Sequence, residues 1–164
     1  MLRKLEKKDI DGMLEWMHEP EINRFYRFDA ESMTYENAAA FIEKKDDHSR
    51  HYAVVDGSDE YLGTISLKDI DKVNRKAEYA IALRSCAHGT GVAASATDEV
   101  LKIAFDELGL NKVFLNVLAD NGRARRFYEK YGFIYEGTFR QDVLIRGEYH
   151  DLSWYSILSK DNGR

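Results

Sequence analysis

The feature that most constrains this chain is a change of hydrophobic period on either side of HGTGVA, His88 to Ala93. Upstream, KAEYAIAL alternates, with Ala77, Tyr79, Ile81 and Leu83 on one face and Glu78, Ala80 and Ala82 on the other. That is the period of a strand. Downstream, Ala93, Ala96, Val100, Ala104 and Leu108 recur at helical spacing, with Leu101 and Phe105 beside them. The first turn of a helix carries backbone N–H groups without partners, at the positive end of the dipole. Glycines let an anion approach that backbone closely. The stretch therefore reads either as an anion site or as a glycine-eased connection. It is not a Walker A loop, because no G-K-S/T follows. Nor is it G-x-G-x-x-G, because Ala94 holds the last position.

The rest of the chain fits a mixed sheet around that junction. Leu2 to Leu5 reads as a short strand, and Asp9 as the cap of a helix carrying Ile10, Met13, Leu14 and Met17. Pro20 opens a second short helical piece. DAESMTYENAAAFIEKK, Asp29 to Lys45, reads as a further helix with Ala38, Phe41 and Ile42 on one side and Thr34 near its start. HYAVVD, EYLGTISLKDI and KAEYAIAL predict an antiparallel meander. Gly109 stops the long helix and KVFLNVL is a strand. Asp120 or Asn121 caps a helix carrying Ala124, Phe127, Tyr128 and Tyr131, which Gly132 ends. FIYEGTFRQDVLI and EYHDLSWYSIL form a closing hairpin. The expected fold class is α/β: a mixed, mostly antiparallel sheet flanked by helices, with a β-α-β-α-β second half.

Bulk properties remove several functions. The 164 residues suit one domain, 1–164. No segment approaches the roughly 18 apolar residues of a membrane span, and MLRKLEKKDI lacks the apolar core of a secretion signal. A single cysteine, Cys86, makes no internal disulfide and suits a reducing cytoplasm. The five histidines show no metal-ligand spacing, so no metal is expected. With a net charge of −5 and no long basic tract, neither a nucleic-acid nor a membrane partner is expected.

Two separated motifs carry a resemblance. HGTGVA fits the form Q/R-x-x-G-x-G/A at Gly91 and Ala93, with His88 in place of Gln or Arg. LADNGRARRFYEKYGFIYEG fits N-x-x-A-x-x-x-Y-x-x-x-G-F at Asn121, Ala124, Tyr128, Gly132 and Phe133. On these the chain resembles the GCN5-related N-acetyltransferase (GNAT) superfamily, and with GEYHDLSWYSIL its ribosomal-protein N-terminal acetyltransferase branch, which also holds spermidine and sugar-nucleotide acetyltransferases. The resemblance covers nearly the whole chain and is strongest from Glu78 to Leu158.

It implies acetyl transfer from acetyl-CoA to an amine, by residues carried over one at a time. Backbone N–H groups of His88, Gly89, Thr90, Gly91, Val92 and Ala93 would hold the pyrophosphate. Ile81, Ala82 and Leu83 would meet pantetheine and the acetyl group, with an N–H near Leu83 polarising the thioester oxygen. Asn121 would bond the pantetheine amide, and Lys130 a CoA phosphate unless it is merely solvated. Tyr128 would be the general acid, although Ala124, Tyr128 and Tyr131 also have the spacing of a core stripe. Glu78 would be the base, or an exposed strand carboxylate in a salt bridge.

The acceptor is left open by the residues. Trp16, Glu19 and Glu21, with Tyr26 and Asp29, suit a polyamine or a peptide amino terminus. Arg24 and Arg27 suit the phosphates of an amino-sugar nucleotide. Asn116 either faces the acceptor or is an ordinary strand polar residue. Partners are thus a small-molecule or peptide amine, with a homodimer plausible through a sheet edge or the last hairpin. A non-catalytic acyl-CoA sensor on the same fold is the competing class.

Overall fold

A computed structural model describes residues 1–161. Its elements, in chain order, are β1 (Leu2–Lys4), α1 (Ile10–His18), α2 (Pro20–Asn23), α3 (Tyr35–Glu43), β2 (Arg50–Val55), β3 (Tyr61–Asp71) and β4 (Lys76–Leu83). There follow α4 (Val92–Lys102), β5 (Lys112–Leu118), α5 (Gly122–Tyr131), β6 (Ile134–Ile145) and β7 (Glu148–Leu158). One seven-stranded sheet has the order β1-β2-β3-β4-β5-β7-β6. Every neighbouring pair is antiparallel except β4 and β5. The last hairpin enters by β7, which pairs β5 along its whole length and leaves β6 at the edge.

Alternation along the strands builds two cores, one on each face. Ile65, Leu67, Ala77, Tyr79, Val113, Tyr155 and Ile157 pack under α4 and α5, against Ala96, Val100, Leu101 and Tyr128. Ala53, Val55 and Tyr61 pack under α1 and α3, against Ile10, Met13, Trp16 and Ala38. Each fully buried aliphatic side chain contributes about 1.5–3 kcal/mol.

Three elements depart from the sequence pattern for physical reasons. Asp9 precedes α1 but does not cap it. Its buried carboxylate accepts two hydrogen bonds from Arg3, both 2.8 Å, and one from the Glu6 N–H at 2.8 Å. The α3 helix begins only at Tyr35, because Asp29 bonds Ser32 through N–H and hydroxyl (3.3 and 2.7 Å) and closes a turn. Thr34 is the true cap, accepting from the Asn37 N–H at 3.3 Å. The long helix is α-helical only to Lys102 and continues as a π-helical turn over Ile103–Glu107, where the Leu108 N–H reaches the Ile103 carbonyl at 2.9 Å. Gly109 then ends it at φ +63°.

Candidate active site

The parallel strands β4 and β5 stay together for only three residue pairs, ending at Glu78 opposite Phe114. Beyond that point each strand follows its other neighbour. β4 remains paired with β3 as far as Leu83 opposite Gly63. Arg84 then ties the strand end away from β5: its N–H donates to Leu62 at 2.8 Å, and its guanidinium pairs with Glu60 at 2.6 Å and Glu15 at 2.7 Å. β5 stays with β7 through Leu118 opposite Leu152. A gap opens between them.

Strand hydrogen bonding alternates between neighbours. Since Arg84 donates towards β3, Ala82 also turns its backbone groups to β3, and those of Ile81 and Leu83 face the gap. Ala82 therefore offers the gap its side chain and not its amide, unlike the two residues that flank it.

The gap leads to the start of α4. Gly89 and Gly91 have φ of +76° and +86°, which favours glycine. No protein group accepts from the N–H groups of Gly89, Thr90, Gly91 or Ala93 among the described residues. The Thr90 hydroxyl donates back to the Ala87 carbonyl at 2.7 Å and accepts weakly from the Val92 N–H at 3.4 Å. Its side chain shapes the loop, and Val92 packs against the core. These unpaired donors at a helix start fit a diphosphate. His88 turns inward instead. Burial and nearby Arg123 hold its imidazole below the usual range, while the Leu83 carbonyl pulls the other way.

One cavity of about 870 Å³ joins these parts. It is lined by Ile81, Ala82, Leu83, His88, Gly89, Gly91, Ala93, Asn116 and Asn121, and by Glu78, Tyr128, Trp16 and Glu21. Glu19 lies in an adjoining recess with Glu21, Asn121 and Arg123. Lys130 is exposed on α5 and lines neither space. Arg24 turns to Glu21 (3.4 Å) and over the Phe25 ring (4.7 Å), whereas Arg27 lines the main cavity.

Tyr128 and Glu78 enter this cavity from opposite faces of the sheet. Tyr128 is only 8% exposed, with its ring edge-on to Tyr79 and Phe133. Burial pushes its phenol well above the usual range, so it holds its proton at neutral pH. Its hydroxyl has no protein partner among the described residues. Glu78 accepts from Lys68 at 3.0 Å and lies 3.8 Å from Arg27. Asn121 caps α5 by accepting from the Ala124 N–H at 3.2 Å, which leaves its amide N–H groups free to donate into the cavity. The Asn116 side-chain oxygen is buried and unpaired.

Trp16 is structural in its polar contact. It donates to the Tyr61 hydroxyl at 3.0 Å, which shares a 2.7 Å hydrogen bond with Thr64. Burial pushes the Tyr61 phenol up to about 12.

The sequence pattern missed Arg123, Lys68, Ser66 and His51, all of which line the cavity. His51 stacks on Phe41 at 4.6 Å, and its Nδ1 shares a 2.7 Å hydrogen bond with Ser66. Burial lowers its pKa from 6.5. Below that pH the unfolded chain takes up the proton before the folded chain does, so stability falls as pH drops through 6.5. Urea unfolding at about pH 7.5 and about pH 5.5 should show this loss, and His51→Gln should show a smaller one, the remainder including His88. An equal loss in the variant would mean that other groups carry it.

A sheet parted over a helix start with unpaired N–H groups, with a buried phenol beside the gap, is the arrangement expected of an acyl-CoA-dependent transferase of the GNAT type. The acetyltransferase (GNAT) domain model matches residues 1–134, and the chain belongs to that family as an acetyl-CoA-dependent N-acetyltransferase. It is 29% identical over 162 residues to the spermidine N(1)-acetyltransferase of Vibrio cholerae, spanning 96% of this chain and 91% of the relative. The Bacillus subtilis protein YdaF, provisionally named a ribosomal N-acetyltransferase, is 34% identical over 122 residues, covering 70% of this chain and 67% of its own. The crystal structure of the Vibrio cholerae spermidine enzyme with CoA and spermine has a TM-score of 0.91 at 25% identity, over 100% of this chain and 98% of that one. Among the described residues no group of three His, Cys, Asp or Glu side chains is placed to hold a metal, and no helix is long and apolar enough to cross a membrane.

Proposed function

We propose that the gap between β4 and β5 is where acetyl-CoA and a primary amine meet, with Tyr128 and Glu78 moving the protons. The observation that supports this most directly is the parting of the strands beyond Glu78 and Phe114, opening towards unpaired N–H donors at one end and the Tyr128 phenol at its side. Bound acetyl-CoA supplies an acetyl group already activated as a thioester.

The chain's own groups then divide the work. The N–H groups from Gly89 to Ala93 hold the diphosphate, and Ile81 and Leu83 pair with the pantetheine amides as a strand would. The Leu83 N–H polarises the thioester carbonyl. The Asn121 amide donates to pantetheine, and the Asn116 oxygen accepts from the incoming amine. An acceptor ammonium sheds two protons as C–N forms and C–S breaks. Tyr128 gives its own proton to the leaving sulfur and takes one of these two back through water. The other leaves through Glu78 and water. Lys130 and Glu19 have no part in this scheme.

The spermidine enzymes among the relatives and the peptide branch of the family both fit a primary-amine acceptor. The sheet that runs through all seven strands supports one domain. The unpaired Cys86 suits the cytoplasm. Ile134, Tyr135, Phe139, Leu144 and Tyr149 stand exposed on the last hairpin, which supports a homodimer formed there.

The test is acetyl-CoA-dependent thiol release with spermidine, amino-terminal peptides, amino acids and amino-sugar nucleotides as acceptors. Turnover with one class well above the acceptor-free rate is expected. Acetyl-CoA binding without turnover on any acceptor would favour a sensor and overturn the proposed transfer.

A further inference from the structure

The charge lining the acceptor side of the cavity does not suit a polycation. Among the described residues only two acidic side chains line the cavity, Glu21 and Glu78. Glu21 stands 78% exposed at the mouth and pairs with Arg24, which is outside the main cavity. Glu78 is the inner carboxylate, and two cations converge on one of its oxygens: Lys68 at 3.0 Å and Arg27 at 3.8 Å. One negative charge therefore faces two positive ones. The other ionisable lining groups add no negative charge: His51, two strands away, is kept neutral by burial, and Arg123 and His88 line the cofactor end.

Arg27 is the cation with capacity to spare. Its long contact with Glu78 is its only polar one among the described residues. Its guanidinium fork is otherwise unengaged, and such forks match carboxylate or phosphate oxygens two at a time. Arg27 sits between Tyr26 and Phe28, whose rings stack at 5.4 Å, and Tyr26 is anchored on Trp16 at 5.3 Å. These ring contacts hold the backbone on either side of Arg27, whose side chain lines the cavity while staying 44% exposed.

We propose that the preferred acceptor is a small primary amine bearing its own anionic group, a carboxylate or a phosphate, which Arg27 and Lys68 hold while the amine lies by Glu78. This rests on the transferase reading given above. Because Arg27 and Glu78 are 3.8 Å apart, the amine and the anion must lie within a few ångströms of each other on the acceptor. A polyamine would bring further positive charge to a wall that already has a surplus.

The test compares acceptors in matched pairs: amino acids against their carboxamides for the carboxylate source, and O-phosphoethanolamine against ethanolamine for the phosphate source, with spermidine beside them. One anionic member should exceed its neutral partner in kcat/KM by roughly 10- to 100-fold, the worth of one or two charge-assisted hydrogen bonds. Arg27→Gln should raise KM for that acceptor by a similar factor, leaving KM for acetyl-CoA and for the neutral partner nearly unchanged. Three results would overturn the proposal: spermidine as the best acceptor, neutral partners used equally well, or Arg27→Gln affecting both partners alike. In each of these the transferase reading survives. No turnover on any acceptor, with acetyl-CoA bound, would remove both.

Discussion

Replacing Tyr128 with phenylalanine is expected to lower kcat about 100-fold while leaving acetyl-CoA affinity and folding almost untouched. The structure separates the two jobs of this side chain. Its ring packs edge-on against Tyr79 at 6.0 Å and Phe133 at 5.7 Å, and phenylalanine keeps those contacts. Its hydroxyl bonds no protein group among the described residues, so removal strands no partner. Burial holds the phenol in its protonated form, so the proton is in place when the thiolate leaves. The effect sits at the low end for a general acid because a thiolate, with a thiol pKa near 8.5, leaves with little help. Single-turnover acetylation, read beside cofactor binding and thermal unfolding, checks this. Unchanged turnover would take Tyr128 out of the chemistry and leave it a core aromatic.

Gly63→Ala is expected to damage both stability and turnover, although Gly63 touches no acceptor. A Cβ at this position would lie 2.3 Å from the Ala82 carbonyl oxygen and 2.8 Å from the Leu83 Cα. Both are backbone atoms at the end of β4, so the strand itself must move. Overpacking of this kind costs about 3 kcal/mol. For a chain of this size that corresponds to a fall in Tm of about 10 °C. The movement pushes Leu83 towards the gap and misaims the N–H proposed to polarise the carbonyl. Turnover per folded molecule should therefore drop at least about 10-fold, with the rise in KM confined to acetyl-CoA. Normal turnover in the folded fraction would show that the end of β4 has no part in the reaction.

What the sequence made legible was local. The alternation of KAEYAIAL, the two glycines before α4 and Asn121 at the start of α5 each carry their meaning within a few residues. They placed β4, the start of α4 and the Tyr128 helix. The parting of β4 from β5 was legible only through family resemblance, because distant ties set it: Arg84 to Glu15 and Glu60 on one side, the full β5–β7 ladder on the other. Asp9 looked like a cap, but Arg3, six residues earlier in the chain, claimed its carboxylate once the chain folded. His51, Ser66 and Lys68 were missed because polar residues at alternate strand positions read as a solvent-facing side. Only the packing of α1 and α3 over that face turns them into a cavity wall. Lys130, a charge near a motif, lies exposed on its helix, where either a phosphate contact or plain solvation suits it.

An open sheet ordinarily has two edges. This one has four, since the parted ends of β4 and β5 each present an unpaired row of backbone groups. The outer pair are blunted in familiar ways: β1 is three residues long, and the register of β6 breaks at Tyr135/Gly137 and again at Phe139/Val143. The inner pair are guarded by facing each other, closed at one end by the last rung at Glu78 and Phe114. A strand from another chain brings side chains on both faces and does not fit a slot backed by Tyr79 and Tyr128. On the site proposed above, the narrow pantetheine arm of acetyl-CoA would lie there instead. On that proposal, the discrimination that protects the fold from runaway strand addition is the same one that would admit its cosubstrate.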